Sequence, residues 1–548
     1  MLNKKNIAFI LFAISVLPGF RLNSSAYRNI ELQENWVDSV FNSMNAGQRI
    51  GQLFMVAAYS NSGETHYKAI EQLIKNNHIG GLIFFQGTPY RQAMLTNRYQ
   101  SISKVPLLIA MDAEWGLGMR LDSTMSFPRQ MTLGAIQDDQ YIYRMGAEIA
   151  RQCKRIGVHV NLAPVVDINS NPGNPVIGTR SFGENKENVA MKGIAYMKGL
   201  QENAVMANAK HFPGHGDTDT DSHHTLPVIN HSKERLDEME LYPFKKLMQE
   251  GLMSVMVAHL HVPAYDDTLN RATTLSKTVV TGLLKNKLGF RGLIFTDALN
   301  MKGVSQFYKP GEVDLKALLA GNDVLLFSEK VSLAIKKIKQ AIRKGMISQE
   351  EIDKRVKKIL RAKYWVGLEG NKEIEEIKEI GADNFQSIDL NNIYEDLNNN
   401  YANLLQQELF EKALTIVQNQ DNLIPIKILD TSTFASVAIG LSHLIKGELN
   451  GVNEFQKMLS NYAPFHHFSI SKKAREETYN DLLNEASKYK VVVVSIHKMN
   501  NKNSAGYGIN QKAKDLIKQI KEKTKVILVV FGNPYSLKYF EDSKWLVC

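Results

Sequence analysis

One stretch of the chain concentrates ionisable side chains: Lys210-His211-Phe212-Pro213-Gly214-His215-Gly216-Asp217-Thr218-Asp219-Thr220-Asp221-Ser222-His223. Glycines at 214 and 216 permit tight backbone turns within it. Asp221 and His223 stand two positions apart, so an extended chain directs both side chains to one side. A carboxylate holding one imidazole nitrogen fixes the tautomer and raises the basicity of the ring. The other nitrogen is then free to give or take a proton near neutral pH. Two other readings compete. The stretch can be a polar loop without chemistry, or His211, His215, His223 and the aspartates can hold a metal. Their spacing matches no usual zinc pattern, and no metal or other cofactor is expected.

Three further segments carry suitable groups. Asp297 closes the apolar run Leu293-Ile294-Phe295-Thr296. A lone carboxylate at the end of a strand is either a nucleophile or the N-cap of the next helix. Met111-Asp112-Ala113-Glu114-Trp115, with Arg120 following, offers charge-assisted hydrogen bonds to ligand hydroxyls. Trp115 either stacks on a ligand face or packs internally. In Gly178-Thr179-Arg180-Ser181-Phe182-Gly183, Arg180 is a ligand clamp or a loop brace. His259 is equally open, a lone histidine being more often structural.

Positioning these groups requires a scaffold, and the apolar runs describe one. Runs at Gln52–Ala57, Gly81–Phe85, Pro106–Met111, Val158–Val166, Val205–Ala209, Ser254–Ala258, Gly292–Thr296 and Asp323–Phe327 have the composition of buried parallel strands. Helical patterns such as Lys233–Glu250 and Lys277–Leu288 separate them. This alternation predicts an α/β fold, a (β/α)8 TIM-type barrel. The runner-up is a doubly wound open sheet, but no Gly-rich phosphate loop follows the first run. In a barrel the chemistry-bearing segments fall at the carboxyl ends of strands, the face on which such folds place their sites.

Two helices should follow. Ile335, Ile338 and Ile342 mark the first, ended by Gly345. Ser348 and Glu351 then form a capping box for the second, which carries Ile352, Val356, Ile359 and Leu360. The expected organisation is a leader over 1–26, the barrel with its helices over 27–368, a linker over 369–404 and an α/β sandwich-like domain over 405–548. Strands are expected there at Ala435–Leu441, Val491–Ile496 and Val526–Phe531, with a helix over Gln511–Glu522. Cys548 follows the apolar Trp545-Leu546-Val547, an unusual place to stop, so this domain is expected to be incomplete.

The segments together resemble glycoside hydrolase family 3, and within it the β-N-acetylglucosaminidase branch. The resemblance rests on Lys210 to Gly216, Asp221-Ser222-His223, Gly178 to Gly183, Phe295-Thr296-Asp297-Ala298-Leu299 and Ala320-Gly321-Asn322-Asp323. It spans about residues 40–365 and implies roles for matching positions. Asp297 matches the nucleophile. His223 with Asp221 matches the acid/base dyad of this branch. Asp112, Arg120, Arg180, Lys210 and His211 match sugar-binding positions. After Asp112 the family often has paired glycines and an arginine, whereas this chain has Trp115-Gly116-Leu117-Gly118. The implied activity is that of a retaining exo-β-N-acetylglucosaminidase acting on peptidoglycan fragments or chitin-type oligosaccharides. A β-glucosidase of the same fold and a non-catalytic sugar-binding protein are the alternatives.

The remaining features bound cellular context. Lys4 and Lys5 precede the apolar run Ile7 to Val16, and Ser24-Ser25-Ala26 offers a cleavage site. That is the pattern of a secretory leader. The run falls short of the roughly 20 apolar residues of a membrane span. Export to the periplasm or beyond is expected. The net charge of +10 is spread thinly, with no basic block interleaved with aromatics, so nucleic acid is not an expected partner. Two cysteines, Cys153 and Cys548, make no disulfide framework.

Overall fold

The computed structural model describes residues 24–221, 225–369, 387–427, 429–441 and 452–548. His223, most of the expected leader and residues 370–386 of the expected linker lie outside the described residues. Eight parallel strands form the first sheet: β1 (Phe54–Tyr59), β2 (Gly81–Phe85), β3 (Leu108–Met111), β4 (Val160–Asn161), β5 (Met206–Phe212), β6 (Ser254–Val257), β7 (Leu293–Thr296) and β8 (Leu325–Leu326). They pair in the order β7-β6-β5-β4-β3-β2-β1-β8, and a bridge between Phe295 and Val324 closes the ring. This is the expected barrel. All eight strands fall within the apolar runs, extended by up to three residues at the β1 and β5 ends.

Parallel strands need crossovers, and the helices that provide them bury the barrel's outer face. Gln140–Arg155 and Lys186–Gln201 lie side by side. Gly199 permits that approach, since a Cβ there would sit 2.3 Å from the Tyr143 carbonyl oxygen. Lys233–Glu250 is two helices, Lys233–Glu238 and Tyr242–Gln249, because Glu240 turns inward and the chain turns with it. The helix expected at 277–288 forms over Thr278–Lys287 in the wider π geometry. The two helices after the barrel occupy Val331–Arg343 and Gln349–Trp365, and Ser348 caps the second by accepting from the Glu351 N–H at 3.1 Å.

The second sheet has six strands: β9 (Ile416–Asn419), β10 (Phe434–Ile439), β11 (Phe465–Ile470), β12 (Val491–Ile496), β13 (Lys525–Val530) and β14 (Trp545–Val547). Their order is β11-β10-β12-β13-β14-β9, all pairs parallel except β14 with β9. The three central strands match the three apolar runs. The other strands escape that reading because the edge strands β9 and β11 are only partly buried and β14 is three residues long. The helix Asn400–Ala413 buries Ala402, Leu405 and Leu409 in the barrel's hydrophobic core.

Candidate active site

At the carboxyl ends of the strands lies a cavity of about 620 Å³. Asp112, Arg120, Arg180, Lys210, His211 and Asp297 all line it, together with Glu114 and His215. Six of the eight site residues expected from the sequence thus meet in one concavity. Asp221 is half-buried in the loop beyond β5 and does not line this cavity. His223 lies outside the described residues.

The wall is a chain of alternating charges. Arg120 Nη2 donates to Asp112 Oδ2 at 2.5 Å, and Lys210 Nζ donates to Asp112 Oδ1 at 2.8 Å. Lys210 Nζ also lies 2.8 Å from Glu114 Oε1. Arg180 grips Glu114 with two hydrogen bonds, Nη2 to Oε1 at 2.6 Å and Nε to Oε2 at 2.9 Å. Arg180 Nη2 then approaches His211 Nε2 at 3.4 Å. His211 Nδ1 sits 2.7 Å from Asp167 Oδ2. An ionised carboxylate only accepts, so the proton is assigned to Nδ1, and Nε2 is the acceptor facing Arg180. The peptides Lys210–His211 and Phe212–Pro213 are cis.

Burial and charge act against each other along this chain. Burial alone would raise the carboxyl of Asp112, but Lys210 and then Arg120 outweigh it and hold it below the usual range. The same contest at Glu114, whose side chain has no exposed surface, is won by Arg180 and Lys210. Asp167 is likewise buried and held low by His211. Burial pushes His215 down to about 4, with His211 adding to the shift. His215 is therefore neutral at physiological pH.

Asp297 stands at the end of β7 on the floor of the cavity. Its Oδ1 accepts from the Ala298 N–H at 2.8 Å, and its own N–H donates to the Val257 carbonyl at 3.0 Å. Burial raises its carboxyl, yet His259, His211, the Ala298 N–H and Lys210 together bring it below the ordinary range. Asp297 is thus an anion with one oxygen tied to the backbone. No α-helix starts at Asp297; the next begins at Lys302, so the N-cap reading does not apply. His259 is fully buried, 2.8 Å from Thr274 Oγ1 and 3.0 Å from the Ala298 carbonyl. It braces the loop that carries Asp297.

Several side chains resolve the options left open by the sequence. Arg180 both braces Glu114 and faces the cavity. Trp115 is half-buried and does not line the cavity; the Arg129 guanidinium lies 4.2 Å from its ring centroid. Phe85 forms cavity wall and supports Arg120, whose guanidinium lies 4.5 Å over the ring. Asp167 escaped the sequence reading. It follows Pro164-Val165-Val166 and looks like the end of a buried strand, while its partner His211 is 44 residues away. Among the described residues no three His, Cys, Asp or Glu side chains gather as a metal would require, and no helix is long and apolar enough to cross a membrane. Cys153 and Cys548 are both unpaired.

Comparison with known proteins bears on the whole of this region. The model of the glycosyl hydrolase family 3 N-terminal domain matches residues 46–362. A protein named beta-hexosaminidase A from Pseudoalteromonas piscicida is 34% identical over 326 residues, 54% of this chain and 54% of that protein. One named beta-N-acetylglucosaminidase/beta-glucosidase, from Cellulomonas fimi, is 29% identical over 341 residues, 61% of this chain and 60% of that one. The chain thus spans little more than half the length of these curated relatives. Among solved structures, a family 3 beta-N-acetylglucosaminidase from Paenibacillus sp. str. FPU-7 superposes with a TM-score of 0.71 at 29% identity, covering 92% of this chain and 93% of that one.

Proposed function

The chain belongs to glycosyl hydrolase family 3, and from that premise we propose that it is an exported, retaining exo-β-N-acetylglucosaminidase. Its substrates are terminal β-linked N-acetylglucosamine units of peptidoglycan fragments or chitin-type oligosaccharides. Residues 27–368 carry the chemistry. Export rests on the leader-like segment at residues 1–26.

The observation that carries the reading is the pairing of an ionised Asp297 with a polar wall of Asp112, Arg120, Arg180, Lys210 and His211 in one cavity of about 620 Å³. Such a wall offers both donors and acceptors to the hydroxyls of one pyranose, and fixed charged groups make the strongest such bonds. Asp297 then attacks the anomeric carbon. The bond from that carbon to the aglycone oxygen breaks as His223, held by Asp221, protonates the oxygen. Water attacks the glycosyl ester next, giving its proton to His223 and releasing the Asp297 carboxylate. Two displacements retain configuration. An imidazole in place of the usual second carboxyl does not repel the anionic nucleophile when it is neutral, and it tolerates an incoming anion such as phosphate in place of water.

Asp297→Asn should leave a folded protein whose turnover of aryl N-acetylglucosaminide falls by about 10⁴-fold or more. Undiminished turnover removes Asp297 from the reaction. The printed name of the Cellulomonas fimi relative joins two activities, so β-glucosidase action is the second reading. The ratio of turnover on aryl N-acetylglucosaminide to that on aryl glucoside discriminates between them. His223→Ala should slow unactivated substrates far more than those with acidic leaving groups, which need little protonation.

A further inference from the structure

The loop after β4, residues 167–183, does more than present Arg180. Its Asn169 Oδ1 accepts from the Gly178 N–H at 3.0 Å, at the start of the turn that delivers Arg180. The Asn169 N–H donates to the Gly183 carbonyl at 2.9 Å, which closes the loop on itself. The same loop grips the segment leading to Asp221. Asn174 Nδ2 donates to the His215 carbonyl at 2.8 Å, and Asn171 Nδ2 donates to Asp219 Oδ1 at 2.6 Å. Gly216 presses against Ile168 so closely that a Cβ would lie 1.7 Å from the Ile168 carbonyl oxygen. One loop therefore sets both the sugar-facing arginine and the segment that leads to the dyad.

The fully buried Asn169 has one amide hydrogen bond that leaves the barrel. Its Nδ2 donates to the Tyr535 hydroxyl at 2.9 Å, 366 residues along the chain. Tyr535 belongs to the second sheet's turn after β13, where Asn533 Oδ1 accepts from the Tyr535 N–H at 3.0 Å and Pro534 stiffens the backbone. A rigid turn on one domain thus holds a buried amide that helps organise the active-site loop on the other.

We propose that Tyr535 is a positioning residue, by which the second domain holds Arg180 and the loop bearing Asp221 in working register. This rests on the glycosidase reading above and assigns the second domain a part in it. Removing the hydroxyl strands the Asn169 amide in a dry environment, so the loop must reorganise to satisfy it. Small misplacements remote from the reacting atoms are known to cost up to about 100-fold.

The test is Tyr535→Phe in the full chain, with the double variant Tyr535→Phe/Asn169→Ala. Turnover is measured on an aryl N-acetylglucosaminide with an acidic leaving group and on the unactivated disaccharide N,N′-diacetylchitobiose. Amide hydrogen exchange is followed at Gly178 and His215 without substrate. We expect kcat on the disaccharide to fall about 10-fold in Tyr535→Phe, with a smaller loss on the activated substrate and faster exchange at both amides. In the Asn169→Ala background the added Tyr535→Phe change should cost much less than in wild type, since the side-chain amide is gone and the hydroxyl keeps its long 3.4 Å contact with the residue 169 carbonyl. Equal loss on both substrates, or exchange at wild-type rates, overturns the proposal. If wild type cleaves neither sugar while exchange still quickens in Tyr535→Phe, the coupling stands and the glycosidase reading falls.

Discussion

At the mouth of the barrel Glu114 and Lys210 are almost wholly withdrawn from water, and so is Lys363 at the opposite end. Glu114 and Lys210 find each other and two further charges within hydrogen-bonding reach. Among the described residues Lys363 has only the neutral Gln52 Oε1, to which it donates at 2.7 Å. The consequences differ in sign. At the mouth, opposite charge overcomes burial and the carboxylates stay ionised. At the base, nothing opposes burial, which pushes Lys363 down to about 7. Burial alone thus does not set the state of an ionisable group; the partner does. The mouth keeps charges because a polar ligand must be met there, and the base holds a lysine that the proposed chemistry does not use.

The largest effect expected comes from breaking the paired end. Glu114→Gln preserves shape but leaves the Arg180 guanidinium without its counter-charge and Lys210 with only Asp112. Removing one member of a buried pair costs about 3–5 kcal/mol. Denaturant unfolding should register that loss, and kcat/KM should fall with it as Arg180 leaves its place. Unchanged stability would mean that the charges at the mouth are not coupled as the distances imply.

The unpaired end should respond in the opposite direction. Lys363 is neutral in the fold and charged in the unfolded chain between about pH 7 and its ordinary 10.5. In that window the unfolded state binds more protons, so wild-type stability rises with pH. Lys363→Met removes the linkage. Its stability relative to wild type should fall by up to about 1.4 kcal/mol for each pH unit from 7 upward, and the difference should level off below pH 7. Unfolding curves for both proteins at several pH values give the slope directly. Parallel curves would mean that Lys363 is solvated or otherwise paired.

How much of this was legible in the sequence follows from the same contrast. The eight barrel strands were readable because burial on both faces leaves continuous apolar runs. Asp297, Lys210 and Arg180 were readable because they end such runs or sit between turn-forming glycines. Partnership was not. Glu114 reads as one more ligand-facing carboxylate until Arg180 arrives from 66 positions away. Lys363 reads as a solvated lysine on an amphipathic helix, since nothing local says that the helix turns this position toward Gln52, 311 residues earlier. Asp167 ends the apolar run Val158–Val166 as Asp297 ends its own, but nothing local points to its partner 44 residues on, and Tyr535 carries no local signal at all. Short-range patterns report which side chains are buried, whereas long-range contacts decide what burial does to them.

A smaller effect sharpens the comparison at the base. His159 is half-buried there with its Nδ1 accepting from the Ile109 N–H at 3.0 Å, which fixes it as a neutral ring. Burial, and after it the charge of Lys363, lower it from 6.5 to about 3. Below pH 6.5 the unfolded chain protonates this histidine while the fold does not, so stability should drop as pH falls toward 3. His159→Gln should remove that component, about 2 kcal/mol between pH 6.5 and 5. Lys363 is itself charged in this acid range, because its folded value is about 7. Lys363→Met should therefore release part of the pressure on His159 and make the acid loss shallower, a change smaller than that of His159→Gln and absent in the double variant. An acid slope untouched by Lys363→Met would show that burial alone keeps His159 neutral and that the two groups do not sense each other.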